Sequence, residues 1–162
     1  MLKMIVAHDK ENGIGKNNKL PWYIPQELSR FSCLTRGNGN NAIIMGRKTY
    51  ESIGKTLPKR TNIVLSKKKK EANNCFIFST KKEITQFLNN NTFDDIWIIG
   101  GAFIYKEFLD IVDELYVTEI NESFKCDTFF PLNYQQYFNK CVVEKMINSH
   151  NGYDYIYKKY FR

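Results

Sequence analysis

No apolar run in this 162-residue chain reaches the roughly 18 residues of a membrane span. The longest, Ile96 to Tyr105, is interrupted by Gly100-Gly101. The apolar start, Met1 to Ala7, is too short for a secretion signal and charged residues follow it at once, so a cytoplasmic protein without a membrane partner is expected. Histidine is nearly missing. His8 and His150 are the two present, neither at ligand spacing from another His or from Cys, and no metal site is expected. Cysteine occurs four times, at Cys33, Cys75, Cys126 and Cys141, without a C-x-x-C pair. The length and apolar composition exclude a disulfide-stapled miniprotein, and in an intracellular chain the four are expected as free, largely buried thiols. Standard nucleotide and nucleophile motifs are missing too. Gly54-Lys55-Thr56 ends like a P-loop, but Thr49 stands where the first glycine is needed. Gly13-Ile14-Gly15 lacks the third glycine of a dinucleotide fingerprint, and there is no serine nucleophile elbow.

What is present supports a real core. Hydrophobic residues make up 43% of the chain and aromatics 15%, enough for one compact domain over residues 1–162. The formal net charge is +7, from 24 Lys plus Arg against 17 Asp plus Glu. Such a balance favours anionic partners. Most of the cations are lysines without an arginine-rich stripe, so phosphorylated small molecules are expected rather than nucleic acid. The run Lys67 to Lys70 reads as a solvated loop.

Short strand-like runs alternate with helical stretches throughout. Met4 to Ala7, Ala42 to Met45, Ile63 to Leu65, Cys75 to Phe78, Ile96 to Ile99, Leu115 to Ile120, Cys141 to Ile147 and Tyr153 to Tyr160 read as strands. Several are continuously apolar, as in strands buried on both faces. The last two alternate better and have no helix between them, which predicts an antiparallel edge. Pro25 suits a first helical position, and Glu27, Phe31 and Leu34 then share one face. Arg47 to Ile53, Lys81 to Leu88 and Ala102 to Leu109 are the other predicted helices; Gly37 to Asn41 and Asn89 to Thr92 read as loops. The fold class is α/β: a mostly parallel central eight-stranded sheet with an antiparallel C-terminal edge, flanked by about four helices.

Two strands end in glycine and turn into a helix: Ala42 to Met45 before Gly46-Arg47-Lys48-Thr49, and Ile96 to Ile99 before Gly100-Gly101-Ala102. Free N–H groups at a helix start attract anions, and glycine admits a phosphate close to the backbone. Two such junctions in one sheet would suit a dinucleotide, although either alone is ordinary α/β turn chemistry. Glu27 is the acid of most interest. A first-turn carboxylate suits the helix dipole, but one that shares a face with Phe31 and Leu34 can point into an apolar cleft, where its pKa rises and proton transfer becomes available. Asp127, within Cys126 to Pro131, reads as a second candidate or a turn acid, and Trp22 beside Pro21 as core.

Several blocks together resemble one family, dihydrofolate reductase, along almost the whole length. They are Ile5 to Ala7, Gly13 to Trp22, Ile44 to Ile53, Arg60 to Ser66, Ile98 to Tyr105 and Asp127 to Pro131. The resemblance implies reduction of 7,8-dihydrofolate to tetrahydrofolate by hydride transfer from NADPH, in a monomer. It gives Glu27 the pterin N3 and 2-amino edge and a part in N5 protonation, through water held by Trp22 and with hydrogen-bond support from Thr118. It lines the folate cleft with Ile5, Val6, Leu20, Phe31, Ile53, Leu57 and Ile99, and pairs Arg60 with the substrate's α-carboxylate. Ala7, Ile14, Gly15 and Tyr105 would surround the nicotinamide, Tyr105 counting among the catalytic groups. Gly46, Gly100, Gly101, Ala102, Phe103 and Ile104 would meet the pyrophosphate. Arg47, Lys48, Thr49, Leu65, Ser66 and Lys67 would hold the phosphates and flank the adenosine side. Gly13 to Leu20 would form a mobile lid steadied by Asp127. The sequence departs from the family in three places: Glu27 follows the short spacing where many bacterial members have Asp, and Lys59 and Ala102 replace common glycines. A related pterin or pyrimidine reductase, or a nucleic-acid-binding domain on this scaffold, is the competing expectation.

Overall fold

The computed structural model describes residues 1–68, 72, 74–149 and 152–162; Lys69 and Lys70 of the basic run, and His150, lie outside the described residues. Eight strands form the main sheet: β1 Leu2–His8, β3 Asn41–Gly46, β4 Arg60–Leu65, β5 Cys75–Phe78, β6 Ile96–Gly100, β7 Glu114–Ile120, β9 Lys140–Ile147 and β10 Tyr155–Phe161. Their order is β5-β4-β3-β6-β1-β7-β10-β9. The strands from β5 to β7 run parallel, and β10 is antiparallel to both β7 and β9. The apolar runs explain this arrangement. Ala42 to Met45 and Ile96 to Ile99 are covered on both faces, as central parallel strands require, while β9 lies at an edge and is exposed along most of its length.

Among the described residues four α-helices cover the sheet: α1 Pro25–Arg36, α2 Arg47–Ile53, α3 Lys81–Asn89 and α4 Ala102–Phe108. Thr80 caps α3, its hydroxyl accepting from the Glu83 N–H, while Glu83 reaches back to the Ser79 N–H. Two of the three apolar clusters among the described residues flank the central strands. One joins Ile5, Ile43, Met45, Trp97, Ile99 and Tyr116 to Phe31, Leu34, Ile53 and Leu57. The other joins Met4, Val6, Ile44 and Ile98 to Ile104, Tyr105 and Phe108. Alternate residues of the same strands feed opposite faces, which is the period of two expected of a pleated strand.

Several expectations are corrected. None of the four cysteines is buried: Cys33 and Cys141 are exposed, Cys75 and Cys126 half-buried, all with free thiols. Cys33 lies on the outer side of α1, and Cys141 on the edge strand, where no second layer covers it. Asn41, read as loop, opens β3; its amide donates to the Thr35 carbonyl and its side-chain oxygen accepts from the Asp95 N–H. Tyr153 lies outside β10. Two short strands escaped the sequence reading. β2 Gly13–Gly15 pairs antiparallel with β8 Thr128–Phe129 in a separate two-stranded sheet.

Candidate active site

Glu27 sits in the first turn of α1, where Pro25 occupies the helix start without the loss of a needed hydrogen bond. Its side chain turns inward and is only 8% exposed. Thr118, fully buried on β7, donates its hydroxyl proton to Glu27 Oε2 at 2.9 Å. Burial pushes the Glu27 carboxyl above its ordinary value; the Thr118 hydrogen bond, the Arg30 charge and the Tyr157 hydroxyl pull it back only in part. The acid therefore holds a proton at higher pH than a surface carboxylate. Phe31, one turn further, packs with Leu34, Ile53, Leu57, Ile5 and Ile99 in the apolar cluster that faces α1 and α2.

The remaining residues expected around the cleft fall in different places. Trp22 is buried against Ile24, Ile120, Tyr155 and Tyr157, half-buried Ala7 packing against the same group, and its ring lies 5.2 Å from that of Phe124. Val6 does not join Ile5; its side chain is on the α4 side of the sheet. Leu20 is 54% exposed and belongs to none of the three clusters. Arg60, at the start of β4, is fixed from two sides. Nη1 donates to Thr35 Oγ1 at 2.9 Å and Nε to the Pro58 carbonyl at 2.9 Å. The loop before it is tied by Asn62, whose side chain accepts from the Leu57 N–H and donates to the carbonyls of Leu57 and Arg60. Lys59 adopts φ +62°, which explains why glycine suits this position.

The C-terminal ends of β4, β3, β6 and β1 come together along one edge, the crevice where open parallel sheets bind ligands. At that edge the backbone is bare. A Cβ on Gly46 would stand 3.1 Å from Ile104 Cγ1, and one on Gly101 3.3 Å from Thr49 Oγ1. Gly100 has φ +118° and joins Gly101 through a cis peptide; any Cβ there would meet the Tyr105 ring at 3.1 Å. Tyr105 is buried, its hydroxyl 2.8 Å from the Ile5 carbonyl and 2.9 Å from that of Ile99. Burial pushes this phenol far up, so it stays protonated and pins β1 to β6. Arg47 and Lys48 follow Gly46 directly at the start of α2, and Lys67 and Lys68 lie just beyond the end of β4, whose Leu65 pairs with Gly46. Arg47 Nη1 meets both carboxylate oxygens of Glu51, at 2.9 and 3.0 Å. Ser66 is buried, its hydroxyl donating to the Lys68 carbonyl at 3.0 Å. Leu65 and Ile14 pack against the α4-side cluster, and Phe103 is exposed.

Gly13 to Leu20 leaves β2 as a short turn, with Asn17 and Asn18 both at positive φ and reciprocal backbone bonds between Lys16 and Lys19. Its tip is held on both sides: Ser52 donates its hydroxyl proton to the Asn18 carbonyl at 2.9 Å, and Asp127 Oδ2 accepts from the Asn17 N–H at 2.9 Å. The base is anchored by a residue the sequence reading missed. Asp9, 1% exposed, accepts from the N–H groups of Glu11, Gly13 and Phe124 and from the Cys126 thiol. Burial pushes its carboxyl up, but those donors together hold it below the ordinary carboxylate range. His8, the last residue of β1, is 5% exposed. Its Nδ1 lies 2.7 Å from the Asp9 carbonyl and its Nε2 3.0 Å from the Tyr134 hydroxyl. Its place directly after the apolar run Met4 to Ala7, in the same strand, was the available signal.

An apolar cleft with one buried acid, beside a cationic strand edge lined by bare glycine backbone, has the layout of a nucleotide-dependent enzyme acting on a small molecule. The sequence matches the dihydrofolate reductase family over residues 1–162. It is 40% identical to the dihydrofolate reductase of Haemophilus influenzae over 152 residues, covering 93% of this chain and 92% of that one. It is 36% identical to the enzyme of Staphylococcus haemolyticus over 163 residues, covering 99% and 95%. A solved structure, dihydrofolate reductase from Enterococcus faecalis complexed with NADP(H) and RAB-propyl, superposes with a TM-score of 0.86 at 32% identity, covering 100% of this chain and 96% of that one. This chain belongs to the dihydrofolate reductase family.

Proposed function

We propose that the chain reduces 7,8-dihydrofolate to 5,6,7,8-tetrahydrofolate with NADPH, acting as one catalytic unit over residues 1–162. The observation that carries this reading is Glu27, a buried carboxyl with a raised pKa that faces an apolar cleft and is oriented by Thr118. A pterin presents two adjacent donors, N3–H and the 2-amino group, and a single carboxylate meets both with two charge-assisted bonds. Exclusion of water by Phe31, Ile5, Ile53, Leu57 and Ile99 strengthens those bonds. N5 takes its proton from water beside Trp22, a transfer that Glu27 promotes while its carboxylate holds the pterin edge. Arg60 offers its guanidinium to the glutamate tail, with Thr35 and Pro58 fixing its plane.

The residues at the strand edge fit NADPH. Gly46, Gly100 and Gly101 leave backbone that a pyrophosphate approaches closely, between Thr49 and the Ala102–Ile104 turn. Arg47, Lys48 and Lys67, with Thr49 and Ser66, supply the positive and hydroxyl groups a 2′-phosphate needs. When bound, the cofactor supplies the hydride. The protein aligns its donor carbon through Ala7, Ile14, Gly15 and the Tyr105-pinned strand ends, and the Gly13–Leu20 lid shuts out water.

The enzyme works as a cytoplasmic monomer. Among the described residues no helix is long and apolar enough to cross a membrane. The open edge strand β9 carries charged side chains and a register shift against Tyr157/Lys158, features that blunt pairing with a second copy. The direct test is the initial rate of NADPH oxidation, followed by nicotinamide absorbance, with and without dihydrofolate. A dihydrofolate-dependent rate supports the reading; a folded protein that turns over only pyrimidine substrates, or none, contradicts it. Sedimentation at the mass of one chain checks the oligomeric state.

A further inference from the structure

Arg30 lies one turn beyond Glu27 on the same face of α1, and it is an unusual residue to find packed there. Its side chain is only 16% exposed. The guanidinium stacks 3.9 Å from the Tyr157 ring centroid and 5.9 Å from that of Tyr116. Nη2 donates to Glu144 Oε2 at 2.6 Å, while Nη1 is buried without a hydrogen-bond partner among the described residues. A buried donor left unpaired costs about 1–3 kcal/mol, so the cation is kept here against a local penalty. Tyr157 pairs in register with Thr118, the residue that donates to Glu27. Arg30, Tyr157, Thr118 and Glu27 therefore form one packed group behind the cleft.

We propose that Arg30 is a positioning residue for the reaction: its guanidinium, clamped by Tyr157 and Glu144, sets a positive field beside Glu27 that opposes burial and so fixes the pH range of turnover. The groups facing this pair from each neighbouring element leave Arg30 as the cation that acts on Glu27. On β7, Thr118 is neutral, and Glu119 is taken by Lys158 at 2.9 Å. On β10, burial pushes the Tyr157 phenol up, Tyr155 donates its hydroxyl to Gln26 Oε1 at 2.7 Å, and Lys159 is drawn to Glu114 at 3.3 Å and lies over Tyr116. On α4, Tyr105 stays protonated. On β9, Glu144 partly neutralises Arg30, but its side chain is 37% exposed and screened by solvent, whereas Glu27 is enclosed. The Arg30 charge is accordingly among the influences that pull the Glu27 carboxyl back from the value burial alone would give it.

This inference rests on the reading of Glu27 as the proton-handling acid, and the test separates the two. Single-turnover rates of NADPH oxidation are measured against pH for wild type, Arg30→Met, Arg30→Gln and Arg30→Lys, Arg30→Gln keeping a hydrogen-bonding group for Glu144 should Arg30→Met fold poorly. In parallel the Glu27 carboxyl carbon is titrated by NMR without ligands, assigned by its loss in Glu27→Gln. Removing the charge moves both midpoints to higher pH. On the limb that falls as pH rises, the rate then exceeds wild type by about three- to tenfold, since each pH unit of displacement is a factor of ten. Arg30→Lys restores the wild-type midpoints. A purely structural role would lower the rate equally at every pH with the NMR midpoint unmoved, and that overturns the proposal. If Glu27→Gln keeps the wild-type pH limb, the role given to Glu27 is wrong, while the NMR midpoint still decides whether Arg30 acts on it.

Discussion

A carboxyl held above its ordinary pKa has a thermodynamic consequence at the residue itself. Glu27 binds its proton more tightly folded than unfolded, so its contribution to stability is full below the unfolded carboxylate value and is lost as pH rises through the folded one. Glu27→Gln removes that penalty while keeping an oxygen that accepts from Thr118. The variant is expected to unfold at higher temperature than wild type at pH 8, with the gap shrinking toward pH 4; equal melting temperatures at both pH values would contradict the raised pKa. Stability would thus be gained where activity is lost, the usual trade at a functional acid. At the cofactor edge, Arg47 pairs with Glu51, which is half exposed and easily displaced by a phosphate. Arg47→Ala is expected to raise KM for NADPH by about tenfold or more, the scale of one lost charge-assisted bond, and to change KM for NADH little. Steady-state kinetics with both cofactors check this.

At the scale of elements, legibility followed the length of the signal. The strands of the main sheet show in the sequence because continuous aliphatic runs such as Ala42 to Met45 admit few other readings. β2 and β8, three and two residues long, carry no period and exist only because distant segments meet. Asp9 was invisible for the same reason: its donors come from Glu11 and Gly13 on one side and Phe124 and Cys126 on the other. Gly13 is part of this joint, since a Cβ there would fall 2.5 Å from Cys126 Sγ. Asp9→Asn would set an amide donor against these donors. It is expected to cost about 1–3 kcal/mol in denaturant unfolding, and to loosen the lid so that kcat and KM change together. Lys59 makes the opposite case. Its φ of +62° is unfavourable for any side chain, and Lys59→Gly is expected to stabilise the loop before β4 by about 1 kcal/mol. Chemical denaturation of the two variants checks both signs.

At the scale of the whole molecule, the parallel strands bring their C-terminal ends to one edge, so the glycine junctions after β3 and β6, more than fifty residues apart, become neighbours. The sequence shows each junction but not their meeting, which is why composition and spacing alone left ordinary turn chemistry open. The blocks shared with dihydrofolate reductases supplied what local pattern could not, and family membership and fold agree with them. The net charge of +7 favours long-range attraction of anionic small molecules. The central claim is that Glu27 governs proton supply to a reaction whose hydride comes from the cofactor. The measurement that meets it most directly is the pH dependence of dihydrofolate-dependent NADPH oxidation in wild type and Glu27→Gln. Near neutral pH the variant should be slower by about a hundredfold or more, within the range of a lost acid–base group, and should recover as pH falls and dihydrofolate itself protonates. Wild-type rates in the variant at neutral pH, or a deficit unchanged at low pH, would contradict the account.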